Sequence, residues 1–352
     1  MKLLKHNPFI LILPVLIFSL GFVTLLSTSP ERAKYQLLYF ITGIVLYLLF
    51  STIDYTIYKY YWKQLFTGMV VLLALTFVLG EIRLGSVRWI NLGFFTLQPS
   101  EFAKIVLIIA LTSFITSRPR IFERFKDIFI VLGIFLPIFL LVLFQPDLGT
   151  SIVYVAIIAG ILFYAGLNKL YFLISIMIFG IFSSPIWQIL HDYQKRRILV
   201  FLNPTLDIKG AGYNVIKSII AIGSGGLFGK GFGRGTQSHL NFLPAHWTDF
   251  IFASFAEEWG FVGVFVLLTL FVLLLVAIFY IAHKSEEPFG SILTIGMLMV
   301  FFSQFVVNVG MNLGVMPVTG IPLPLVSYGG SSMLTSMILL GIVQNVRLKR
   351  TS

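Results

Sequence analysis

Three carboxylates, Asp249, Glu257 and Glu258, lie within ten positions where a long polar stretch runs into an apolar helix. An ionisable side chain at membrane depth is costly, so its default reading is functional. A carboxylate that is wet on one side and apolar on the other has its pKa raised by desolvation, which suits a general base working near neutral pH. Asp249 is the candidate for that base. Arg88, Glu101, Lys104, Asp147, Arg196 and Arg197 fall with it at or near the outer ends of expected spans, and Glu257 and Glu258 lie deeper. Such convergence could build one outward-facing polar cavity.

Each residue also has a plainer reading. Glu101 and Lys104 are i,i+3 neighbours, a spacing at which they can simply neutralise each other. Asp147 follows Pro146 at the start of an apolar run, where a carboxylate caps free amides and complements the helix dipole. Asp249 could cap the following helix in the same way, and spacing alone leaves capping and catalysis both open. Glu257 and Glu258 point about 100° apart on a helix, so a cavity is expected to receive one of them at most. The five His residues show no metal-ligand spacing, and no Ser, His and Asp grouping suggests a hydrolase.

The elements that must position these groups are apolar. Of 352 residues, 58% are hydrophobic and 11% charged, and the mean hydropathy is +0.96, whereas soluble domains carry roughly 25% charged residues. Runs of about 20 apolar residues, long enough to cross a bilayer core as helix, recur along the chain. They lie near 8–27, 34–53, 64–80, 101–117, 127–144, 148–166, 171–190, 250–282, 288–312 and 330–346. This predicts an all-α integral membrane protein with ten transmembrane helices in one polytopic domain, 1–352. The first run lacks a small-residue cleavage site and reads as a retained span. With the N-terminus inside, thirteen Lys and Arg fall in inner segments and four in the short outer ones. That matches the positive-inside bias and puts both termini in the cytoplasm. The net charge of +11 is thereby explained without nucleic acid.

Three stretches depart from simple spans. Residues 191–249 form a long extracytoplasmic loop in which Tyr213 to Leu227 has the spacing of an interfacial helix. Its Gly229-Lys230-Gly231 run is no phosphate loop, because Ser224 stands where GxxxxGK needs its first Gly and Gly231 follows the Lys. Residues 314–332 are apolar yet rich in Pro and Gly, which reads as a re-entrant segment. The eighth span, at roughly 50 Å against a core of about 30 Å, must tilt or bend, with Gly260 the best-placed break.

Several blocks together carry a family resemblance. They are Arg88-Trp89 through Gln98-Pro99-Ser100-Glu101 and Lys104; Phe144-Gln145-Pro146-Asp147 through Ser151; Tyr193-Gln194 to Arg197; Gly210 to Gly226 with Gly235-Thr236-Gln237-Ser238; Thr248-Asp249-Phe250-Ile251-Phe252-Ala253; and Pro322 to Gly330. On these blocks, over essentially its whole length, the sequence resembles the SEDS family (shape, elongation, division, sporulation), on its rod-shape branch.

The resemblance implies a peptidoglycan glycosyltransferase of the bacterial cytoplasmic membrane with its active site facing outward. Such a protein polymerises lipid II, a disaccharide-pentapeptide on undecaprenyl diphosphate, into β-1,4-linked glycan strands during cell elongation. Asp249 matches the family's base for the acceptor hydroxyl. The implied partners are a class B penicillin-binding protein, which is a transpeptidase, and the elongation machinery around it. Attack on an anomeric carbon that carries a diphosphate needs one base and nearby cations, not the two flanking carboxylates of a glycosidase. Arg88, Lys104, Arg196, Arg197 and Lys217 would supply the cations, with Glu101, Asp147 and Glu258 as further substrate-binding candidates. No cofactor is identified. A divalent cation, Mg or Mn, could assist the diphosphate, though no spacing marks its ligands.

The chain leaves the family pattern Leu-Pro-Glu-x-His-Thr-Asp at Ala245 and Trp247, with His246 one position early, and at Lys217, which is often Gln in relatives. Two other functions stay open. A lipid II flippase would want a polar path across the bilayer, whereas nearly all polar residues here lie toward the outer side. A non-catalytic scaffold for the penicillin-binding protein would need no intramembrane carboxylate.

Overall fold

The computed structural model describes residues 8–83, 86–91, 93, 96–118, 122, 125–181, 188, 192–207, 210–240 and 242–350. Most of the seventh expected span beyond Ile181 lies outside the described residues, as do Lys2, Lys5, Arg120 and Arg124 among the basic residues assigned to the inner side.

The chain folds as an all-helical multi-pass membrane protein. Its first helices are α1 (Pro8–Thr28), α2 (Pro30–Thr52), α3 (Tyr58–Leu79), α4 (Pro99–Thr116), α5 (Phe125–Phe144), α6 (Leu148–Tyr164) and α7 (Lys169–Ile181). Then come the shorter α8 (Asp192–Leu202), α9 (Ala211–Ser224) and α10 (Thr236–His239), and the long α11 (Ile251–Lys284), α12 (Pro288–Asn312) and α13 (Gly330–Arg350). Among the described residues, α1 to α5, α11 and α12 are the seven helices long and apolar enough to cross a membrane. Helix α6 is shorter at 17 residues, and α13 ends in the cations Arg347, Lys349 and Arg350.

Four of the helices, α1, α2, α4 and α12, begin with a proline in the first turn, where the missing N–H has no intrahelical partner to lose. Helix α4 is the most enclosed, with Leu107, Ile108 and Leu111 sealed inside. It packs with α6 against α12, while α2 lies along α13, α1 along α11 and α3 along α4. The fit at the centre is close: a Cβ on Gly296 of α12 would stand 2.5 Å from Ile108 Cγ2.

Two irregular features interrupt this bundle. Between α3 and α4 the chain forms a small antiparallel sheet of β1 (Glu81–Arg83), β2 (Ser86–Asn91) and β3 (Thr96–Leu97), in the order β1-β2-β3. Glu81 pairs with Trp89 on one side, and Ile90 with Leu97 on the other. Strands of two to six residues leave no readable alternation, so the sequence shows this stretch only as a loop.

The second feature is the break in α11. Gly260 takes φ 63° and ψ −165°, a conformation essentially restricted to glycine. Residues 226–231 lie against the break and bond to both sides of it. Lys230 N and Gly231 N donate to the carbonyls of Glu257 and Glu258 at 2.9 and 3.0 Å, and Phe261 N and Val262 N donate to those of Gly226 and Leu227 at 2.9 and 3.1 Å. The expected bend at Gly260 is therefore present, and a glycine-rich loop fills it.

Candidate functional site

Asp249 sits on the turn that leads into α11. The turn closes through Ala245, whose φ is 53° and whose carbonyl accepts from Thr248 N at 3.1 Å and Phe250 N at 3.2 Å. The cap position of α11 falls to Phe250, which has no capping group, so Asp249 is not the helix cap. Among the described residues its carboxylate has no ion-pair partner within 4 Å, and the Thr248 side chain bonds to it. Burial raises its pKa above the ordinary value, and the charges of Arg197 and Arg88 pull part of that rise back. Gly320 lies beside the Asp249 carboxylate, since a Cβ there would stand 3.6 Å from Oδ2. A partly accessible, unpaired carboxylate with a raised pKa has the properties of a general base.

The turn is held from three sides. The Trp247 carbonyl accepts from Tyr328 N at 2.9 Å, the Thr248 carbonyl from Ser327 Oγ at 2.7 Å, and the Asp249 carbonyl from Asn308 Nδ2 at 3.1 Å and Asn312 Nδ2 at 3.0 Å. Tyr328 and Ser327 belong to the irregular stretch between α12 and α13. Its own peptide groups are satisfied by side chains: Gln36 Nε2 donates to the Ser327 carbonyl at 2.9 Å, Asn308 Nδ2 to that of Ile321 at 2.7 Å, and an Arg197 guanidinium nitrogen to that of Thr319 at 3.0 Å. Buried, non-helical backbone needs such partners.

Beside Asp249 stands a charged network anchored on Asp147. This residue is the N-cap of α6, accepting from Thr150 N at 3.1 Å and Thr150 Oγ1 at 2.9 Å. It also pairs with Arg88 of β2 at 3.3 Å and accepts from Gln98 Nε2 at 3.0 Å. The sheet thereby carries Arg88 to the start of α6. Glu101 and Lys104 form a buried ion pair at 2.7 Å on α4, and the Lys104 side chain is 1% exposed. The charge of Lys104 is spent on Glu101.

The other sequence candidates separate. Arg197 joins the site through Thr319 and through its charge on Asp249. Arg196 turns away: its side chain is 72% exposed and its nearest carboxylate is Asp207 at 3.9 Å. Glu257 and Glu258, on α11, turn toward the glycine-rich loop and the residues that follow it. Glu257 binds Lys230 at 2.6 Å, Thr236 Oγ1 at 3.0 Å and Gln237 N at 3.1 Å. Glu258 accepts from the Ser27 hydroxyl and lies 3.9 Å from His239 Nε2. Where the chain departs from the family pattern, the Arg32 guanidinium stacks 3.5 Å over the Trp247 ring, and His246 meets that ring edge-on at 4.5 Å. Burial lowers the His246 pKa, which keeps this imidazole neutral at physiological pH.

Sequence reasoning gave no role to Gln36, Gln98, Asn308 and Asn312. Their signal was present in part: Asn308 and Asn312 are uncharged amides inside an apolar helix, where each must find a partner. Among the described residues no group of three or more His, Asp or Glu side chains could hold a metal ion.

Comparison with known proteins agrees with this architecture. Residues 4–352 match the FtsW/RodA/SpoVE family profile, described as cell cycle protein. The chain is 41% identical over 310 residues to the peptidoglycan glycosyltransferase MrdB of Escherichia coli K12, covering 88% of this chain and 83% of that protein. It is 34% identical to the stage V sporulation protein E of Bacillus subtilis, with 97% of each covered. Among solved structures it superposes on a chain of a peptidoglycan synthase complex, in a study of how polymerization and crosslinking are coordinated, with a TM-score of 0.86, 31% identity and 99% of both chains covered. The rod shape determining protein RodA of Thermus thermophilus gives 0.76 at 30% identity over 99% of both chains. A profile matched from end to end and relatives this similar over most of their length place the chain in the FtsW/RodA/SpoVE family of cell cycle proteins.

Proposed function

We propose that this protein is a peptidoglycan glycosyltransferase that polymerises lipid II into β-1,4-linked glycan strands, with Asp249 as the base. Its relatives carry that activity in their names. The observation that carries the residue assignment is the Asp249 carboxylate: unpaired among the described residues, raised in pKa by burial, and within the field of Arg88 and Arg197. Asp249 takes the proton of the acceptor 4-hydroxyl as that oxygen attacks the anomeric carbon of the donor. The bond from that carbon to the diphosphate breaks, and its electron pair leaves on the diphosphate oxygen. That oxygen needs no proton, so a single carboxylate suffices. Arg88 and Arg197 stabilise the departing charge. Asp147 holds Arg88 in place, and the Glu101–Lys104 pair stiffens the start of α4.

On this reading the chain crosses the membrane ten times with both termini in the cytoplasm, and the Asp249 end of the bundle faces outward. A class B penicillin-binding protein receives the strands for crosslinking. A flippase reading is less well supported, because the charged network gathers at one end of the bundle. The test is a lipid II polymerisation assay on wild type and Asp249→Asn with the transpeptidase partner, with and without chelator. Glycan formation by wild type and its loss in Asp249→Asn is the expected result. Full polymerisation by the Asn variant would end the assignment of the base.

A further inference from the structure

Asn308 and Asn312 are one turn apart on α12, both fully buried, and both side-chain amides converge on one atom, the carbonyl oxygen of Asp249. A helix within an apolar bundle gains nothing from two buried amides unless they are satisfied, and these are. Asn308 Nδ2 also donates to the Ile321 carbonyl at 2.7 Å. Asn312 Oδ1 accepts from Ala253 N at 3.2 Å in the first turn of α11. Ser218 of α9 donates to Asn312 Oδ1 at 3.3 Å and to the Asn312 backbone carbonyl at 2.8 Å. The two amides therefore tie Asp249 to the first turn of α11, to the irregular stretch over the site and to α9.

We infer that Asn308 and Asn312 are positioning residues for the reaction: they fix the Asp249 backbone so that its carboxylate stays aimed at the acceptor hydroxyl. This rests on Asp249 as the base. The chemistry restricts what can replace them. Leu matches Asn in size but donates nothing, and Asp would set a second oxygen against the Asp249 carbonyl. The other two carbonyls of the turn, at 247 and 248, are bonded to Tyr328 and Ser327 and would still hold the chain in place without the amides. What the amides add is the orientation of residue 249 itself. A displacement of about 1 Å in a reacting group can cost about 100-fold in rate.

The experiment compares Asn308→Leu, Asn312→Leu and Asn312→Asp with wild type and Asp249→Asn, using the full chain and the polymerisation assay above. Each folded Asn variant is expected to lose about 10- to 100-fold in kcat, with the KM for lipid II nearly unchanged. The acid limb of its pH–rate profile should also move to lower pH, because a loosened Asp249 regains water. Loss of folded protein alone would lower the amount of active enzyme and leave the acid limb where it was. Asn308→Gln keeps the donor and is expected to recover part of kcat. Variants with wild-type kcat and an unmoved acid limb, beside an inactive Asp249→Asn, would overturn the positioning role alone. An active Asp249→Asn would overturn the base, and the positioning role with it.

Discussion

Arg88 meets Asp147 at 3.3 Å, a cation carried by a six-residue strand against the carboxylate that starts α6. The two functions of Asp147 can be separated. Asn at 147 still accepts from the Thr150 amide but no longer pairs with Arg88, whereas Ala loses both. Asp147→Ala is expected to be less stable than Asp147→Asn by about 1 kcal/mol, the usual value of an N-cap. Both should fall in activity together with Arg88→Ala, by about tenfold or more if Arg88 stabilises the leaving diphosphate. Thermal unfolding in detergent and the polymerisation rate check this, and equal melting temperatures for the two Asp147 variants would contradict it.

The Glu101–Lys104 pair is buried on both sides. Glu101→Ala strands an ammonium and is expected to cost about 3–5 kcal/mol. Replacing the pair together, as Glu101→Leu with Lys104→Met, should recover most of that loss. A double variant as unstable as the single one would show that the pair makes contacts beyond each other.

Asp249 links activity and stability to pH in opposite directions. Its carboxyl titrates above the ordinary value near 3.8 because of burial. The stability it contributes is therefore complete below that value and lost as pH rises through the higher folded pKa. Asp249→Asn, neutral at every pH, is expected to melt above wild type at neutral pH, with the gap closing in acid. Polymerisation by wild type needs the ionised form, so the acid limb of its rate profile should lie above 3.8. Wild type and Asp249→Asn melting together across the range would mean that the carboxylate is not desolvated.

Gly260→Ala tests the break in α11. A Cβ there would stand 2.2 Å from Gly229 N and 2.7 Å from the Leu227 carbonyl, in addition to the strain of its φ. The expected loss is at least about 1–3 kcal/mol, read as a lower melting temperature and faster proteolysis near residue 230. Unchanged protease resistance would show that the loop adapts.

Much of this was legible in the sequence. The apolar runs located the helices, Asp147 capped α6 as its position after Pro146 suggested, and Glu101 paired with Lys104 as their spacing allowed. Gly260 broke the one helix too long for its membrane. What stayed hidden depends on contacts distant in sequence. Nothing near Glu257 marks Lys230 as its partner, and nothing near Asp249 indicates that Asn312 will hold its carbonyl. Arg196 and Arg197 are adjacent and chemically identical, and only the fold sends one to the Thr319 carbonyl beside the site and the other toward Asp207.

The loop at residues 226–231 acts as a splint across Gly260. The angle between the two arms of α11 is set by four hydrogen bonds from outside the helix, two on each side of the break. The short arm, which begins at Ile251, is therefore held by that loop at the end next to the break. The turn at the other end keeps its own anchors on α12 and at residues 327–328, so the short arm is gripped independently at both ends.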